Sequence, residues 1–171
     1  MKNAILAAAM VVGLTGTAMA EDPVHADRSG MYVGGFLGSS TEDHSKMLVG
    51  VNAGYQFGKY FRAEVDVDRA WRTVGNNGYR AVVNGVAQYR IPNTVLTPYV
   101  LAGGGYAFDG LASLKSKTGQ VAVWDAGIGT RIGISQKVDL DLRYTETRPV
   151  KDAKAAVKQD HVFTAGLDYR F

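Results

Sequence analysis

The chain has 171 residues, enough for one domain and short for two, and with no cysteine it can form neither a disulfide nor a lipid-bearing thiol. Basic and acidic residues number 19 and 16, too even a balance to argue for a nucleic-acid partner. Beyond the first twenty residues no apolar run approaches the roughly 18 residues of a membrane-crossing helix.

The front end, MKNAILAAAMVVGLTGTAMA, has Lys2, an apolar run from Ala4 to about Leu14, and Ala18-Met19-Ala20 before Glu21. That order describes a secretory signal peptide, residues 1–20, cut after Ala20. Its removal takes away Lys2 and leaves 18 basic against 16 acidic residues. Residues 21–29 form a short N-terminal segment, and residues 30–171 carry the pattern of one domain.

Glycines lie inside the patterned segments, as in MYVGGFLGSS, LAGGGYAF and AGIGTRIG. At roughly 1 kcal/mol each in a helix interior they argue against helix. Read with period 2, the sequence predicts eight strands. They run from about Gly30 to Ser40, Met47 to Phe57, Tyr60 to Trp71, Tyr79 to Ile91, Leu96 to Phe108, Gln120 to Gly133, Val138 to Arg148, and Asp160 to Phe171. Such lengths exceed the common strand of soluble sheets and match the roughly 9–11 residues needed to cross a bilayer at a tilt.

The connections alternate in size. Gly58-Lys59, Pro92-Asn93-Thr94 and Ser135-Gln136-Lys137 are tight turns, whereas 41–46, 72–78, 109–119 and 149–159 are longer and polar. Short turns at one end and longer loops at the other fit an outer-membrane barrel. An even strand count places both strand termini at the short-turn, periplasmic end.

Each strand has one apolar and one polar face. In YFRAEVDVDRAW, Phe61, Ala63, Val65 and Val67 oppose Arg62, Glu64, Asp66 and Asp68. In VDLDLRYTETR, Leu140, Leu142 and Tyr144 oppose Asp139, Asp141 and Arg143. A soluble barrel turns the apolar face inward; a membrane barrel turns it to lipid and the charges to the lumen. Three features favour the membrane arrangement. The strands are long. The aromatics Tyr55, Phe57, Tyr89, Tyr144, Tyr169 and Phe171 fall on the apolar face, most of them near strand ends, as an interfacial girdle requires. The polar-face charges Arg62, Glu64, Asp66, Asp68, Arg80, Arg90, Asp125, Arg131, Asp139, Asp141, Arg143, Asp168 and Arg170 form a near-neutral set suited to mutual pairing. A closed barrel also satisfies every backbone polar group internally, which lipid demands. The fold class read from the sequence is therefore all-β, an eight-stranded antiparallel up-and-down transmembrane β-barrel.

The stretches MYVGGFLGSS (31–40), VGVNAGYQF (49–57), PYVLAGGGYAF (98–108), AGIGTRIGISQKVDLDLRYTE (126–146) and GLDYRF (166–171) resemble the small outer-membrane β-barrel domain family. That family includes the transmembrane domain of outer membrane protein A and related porin-family proteins. The resemblance spans essentially all of residues 30–171, through short, degenerate pieces whose order makes them specific. It implies a Gram-negative outer membrane as location and lipid and lipopolysaccharide as surroundings. It further implies that Leu167, Tyr169 and Phe171 contribute the signal read by the barrel-assembly machinery during insertion. Some members carry a peptidoglycan-binding domain after the barrel; here the chain ends in the last strand, so no cell-wall tether is expected.

Eight strands enclose a lumen that side chains can fill, so a wide channel is excluded and a plug of ion pairs is expected. Glu64 with Arg80 or Arg90, and Arg143 with Asp168, are the pairings that strand adjacency suggests. The functional reading is a monomeric integral barrel, structural or weakly pore-forming, whose pairs exchange to admit small ions if it gates. A second reading is a surface-interaction protein acting through Lys115, Lys117, Lys151, Lys154 and Lys158 in the outer loops, against anionic lipopolysaccharide or a host surface. A remote third is an enzyme using His44 and His161 near the outer rim, with Glu42, Asp43, Ser45 and Asp160 close by, though no spacing motif supports catalysis. With His25 added, the three histidines have no metal-ligand spacing, so no cofactor or metal is expected.

Overall fold

The computed structural model describes residues 29–40, 46–72, 78–108, 120–150 and 160–171. The expected signal peptide, most of the expected N-terminal segment and all five loop lysines lie outside those residues. Eight strands follow in chain order: β1 (Gly30–Ser40), β2 (Lys46–Phe57), β3 (Phe61–Arg72), β4 (Gly78–Gln88), β5 (Leu96–Phe108), β6 (Gln120–Gly133), β7 (Val138–Pro149) and β8 (Asp160–Arg170). Each pairs antiparallel with its sequence neighbours, and β1 pairs with β8 to close the barrel. Closure leaves no sheet edge, the condition for a β-structure to sit in lipid.

Strand ends differ from the sequence pattern by a few residues. β3 starts at Phe61 and β4 stops at Gln88 instead of Ile91. The ladder nevertheless continues below β4: Tyr89 N donates to Pro98 O (2.9 Å) and Ile91 N to Leu96 O (3.1 Å). There Ile91-Pro92-Asn93-Thr94 closes a β-turn, with Thr94 N donating to Ile91 O and Asn93 at φ 60°. Proline second and a left-handed residue third are what a type II turn asks for. The β2–β3 turn uses Gly58 at φ 68°, where a Cβ would be strained.

Burial alternates along every strand, and in a single closed layer the buried side chains lie inside. β3 shows it most simply: Arg62, Glu64, Asp66 and Asp68 are buried while Phe61, Val65 and Val67 are exposed. Val83 and Ile128 are 60% and 62% exposed, whereas Asn84 and Asp125 on the same two strands are 1% and 2%. Apolar outside and polar inside inverts a soluble protein and matches a membrane barrel.

The interior also holds aromatic rings. Phe36 lies where a Cβ on Gly50 would stand, and Tyr99 does the same over Gly129. Those two glycines leave room for the rings to lie against the opposite backbone. Tyr99 joins Val86 and Leu101 in a small apolar cluster toward the short-turn end.

Candidate functional site

The interior side chains form layers. Near the long-loop end, Arg80 of β4 contacts Asp68 Oδ2 of β3 through Nη2 (2.8 Å) and Asp125 Oδ2 of β6 through Nη1 (2.9 Å). Nη1 also donates to Thr147 Oγ1 of β7 (2.5 Å). The guanidinium thus reaches over β5 to strands two and three places away.

The centre is built on Arg143 of β7. Its Nη1 meets Asp66 Oδ2 (2.8 Å), and its Nη2 meets Glu64 Oε1 (2.9 Å) and Asp141 Oδ2 (3.0 Å). Since β3 and β7 lie on opposite sides of an eight-stranded ring, the contacts to Glu64 and Asp66 cross the whole bore. Tyr99 Oη accepts from Arg143 Nε (3.0 Å) and donates to Asp141 Oδ1 (2.5 Å). Asn84 Nδ2 donates to Asp66 Oδ2 (2.9 Å).

Arg62 of β3 supplies the second central cation. Its Nη2 lies 3.4 Å from Glu64 Oε2 and 3.4 Å from Asp168 Oδ2 of β8, and its guanidinium carbon sits 3.5 Å over the Tyr32 ring. Tyr32 Oη donates to Glu64 Oε2 (2.7 Å), and Asn52 Nδ2 to Asp168 Oδ1 (3.0 Å). Each of these carboxylates has a hydrogen-bonded cation, the condition that makes burying charge tolerable. Only a small gap remains beside Asn52, Arg143 and Asp168.

At the short-turn end Arg170 Nη2 holds Asp139 Oδ2 (2.8 Å). Arg131 donates to Gln88 Oε1 and lies 5.1 Å over the Tyr99 ring. Arg90, beyond the end of β4, donates to Thr94 O (3.3 Å).

The two pairings suggested by strand adjacency are not formed. Glu64 is held by Arg62 and Arg143, and Asp168 by Arg62 and Asn52. Register is the reason. Arg80 lies opposite Asp68, and Glu64 opposite Asn84; Arg143 lies opposite Thr164, and Asp168 opposite Asp139. Arg80 sits four residues and Arg90 six residues from the level of Glu64, and Asp168 four from that of Arg143, while long side chains reach across the bore at one level. Arg90 belongs to the rim and not to the central layers. Tyr32 and Tyr99, which organise the centre, were missed because strand alternation alone marks an inward tyrosine no differently from an outward one.

Outside, Tyr55, Phe57, Tyr89, Tyr169 and Phe171 are exposed at the short-turn end, with Tyr55–Phe57 and Tyr169–Phe171 ring centroids 4.8 and 5.3 Å apart. Tyr106, Trp124 and Tyr144 are exposed toward the other end. Two aromatic bands flank the aliphatic belt, as membrane interfaces favour. Leu167, Tyr169 and Phe171 point outward from the β8 end. His161 is also on the outer surface, stacked on Tyr144 and sharing a hydrogen bond with its hydroxyl (3.0 Å). His44, Glu42, Asp43 and Ser45 lie outside the described residues. Among the described residues no group of three or more acidic, His or Cys side chains is placed to hold a metal.

Comparison with known proteins adds to this geometry. The family model described as outer membrane protein beta-barrel domain matches residues 4–171. The chain belongs to that family. It is accordingly an outer-membrane protein, and its strands are membrane-spanning. Among solved structures it is similar to the N-terminal β-barrel domain of Pseudomonas aeruginosa OprF, with TM-score 0.66, 14% identity, and coverage of 84% of this chain and 100% of that one. Neisserial surface protein A gives TM-score 0.65 and 19% identity over 84% of this chain and 98% of that one. Yersinia pestis Ail in a phospholipid nanodisc gives 0.55 and 13%, over 84% and 100%. At such identities the likeness is one of fold. A search of curated proteins finds no match.

Proposed function

We propose that this family member is a structural barrel of the Gram-negative outer membrane, whose lumen is closed by a charge-compensated plug and passes at most small ions. The observation that carries the reading is Arg143, which reaches across the bore from β7 to Glu64 and Asp66 on β3. With Arg62 tying β3 to β8 and Arg80 tying β4 to β6, side chains fill the section that a solute would need. The reading assigns no catalysis, and it assigns Leu167, Tyr169 and Phe171 to recognition by the assembly machinery. Planar-bilayer recording of the refolded chain tests it. The expected result is no conductance, or small intermittent steps; a large, stable, ohmic conductance would refute a closed lumen.

A further inference from the structure

The short-turn mouth differs from the rest of the interior in a way the plug does not explain. Three arginines, Arg90, Arg131 and Arg170, line one small open cavity there. Its single carboxylate, Asp139, is already held by Arg170. Arg131 is only 4% exposed. Its partners are the Gln88 side-chain oxygen and the Tyr99 ring, and among the described residues no carboxylate lies within ion-pair distance of it. Arg62, Arg80 and Arg143 each hold at least two carboxylates. An amide dipole and an aromatic face are weak compensation for a buried full charge.

We propose that this vestibule is a binding site for a small soluble oxyanion, a phosphate or a carboxylate, anchored by Arg131. The guanidinium presents a planar fork that matches two oxygens of such a group. Arg90 lines the same cavity and adds a second positive charge, while Thr97, opposite Arg131 on β5, adds a hydroxyl donor. The cavity opens into the aqueous mouth at the short-turn end and not onto the lipid-facing wall. Above it the Arg143 layer closes the bore. The ligand therefore enters from the periplasm and leaves the same way. This goes beyond the closed-lumen reading, and a binding measurement is independent of whether the barrel conducts.

The test is an amide chemical-shift titration of the full refolded chain in detergent micelles, with inorganic phosphate against sodium chloride at matched ionic strength. Acetate in a parallel titration separates carboxylate from phosphate preference. The expected result is saturable shifts at residues lining the vestibule, with affinity at least about tenfold weaker in Arg131→Gln, the loss expected for one charge-assisted contact. Arg148→Gln, an outer-surface change at the opposite end, should bind as the parent does. If heat-dependent gel mobility shows that Arg131→Gln does not refold, Arg90→Gln takes its place with the same expectation. Absence of saturable shifts in the parent with both phosphate and acetate overturns the proposal, as does an arginine variant that titrates like the parent.

Discussion

The central lumen and the short-turn mouth are built from the same residue types in opposite proportion. In the central and upper layers three guanidiniums, Arg62, Arg80 and Arg143, face six carboxylates, Glu64, Asp66, Asp68, Asp125, Asp141 and Asp168. The cavity at the mouth is lined by Arg90, Arg131 and Arg170 and by one carboxylate, Asp139, which Arg170 holds. Where each cation is shared among acids, the side chains cross the bore and lock it. Where cations outnumber acids, a cavity remains. Charge stoichiometry, more than the number of charges, separates plug from vestibule.

Two substitutions probe that contrast. Arg143→Met should have the larger effect, because it strips a cation from Glu64, Asp66 and Asp141 while they remain buried. Breaking a buried pair from one side costs about 3–5 kcal/mol, so the urea midpoint in lipid vesicles should fall sharply. Transient conductance should rise in the same variant. Arg131→Gln should shift stability by no more than about 1 kcal/mol in phosphate-free buffer, since the charge it removes has no ionic partner to offset its desolvation. Equal losses in the two variants would erase the distinction between the regions.

For the charged residues the sequence revealed the face each occupies but not the height at which it sits. Alternation of Val65, Asp66, Val67 and Asp68 places the carboxylates inside once the barrel is closed, and all eight strands were legible in this way. Pairing was not legible, because it depends on register and on reach across the bore. Glu64 and Arg80 occupy adjacent strands yet sit at different levels, while Arg143 and Glu64 are opposite and meet. β1 was the least readable strand, since glycines occupy both of its faces. Only the structure shows Tyr32 and Phe36 turned inward. The charge imbalance at the mouth was hidden for the same reason: counted over the whole chain, the inward charges nearly cancel.

Both regions presuppose that the apolar residues face lipid, and the absence of native cysteine permits a direct check. Single cysteines at Val83 and Ile128, each carrying a nitroxide, would be read in bilayers for collision with oxygen and with a polar nickel chelate. At both positions oxygen should dominate, and at Gln136 in the β6–β7 turn the chelate should. Chelate collisions that dominate at 83 and 128 would mean these side chains face water, contradicting the outward orientation of the apolar face.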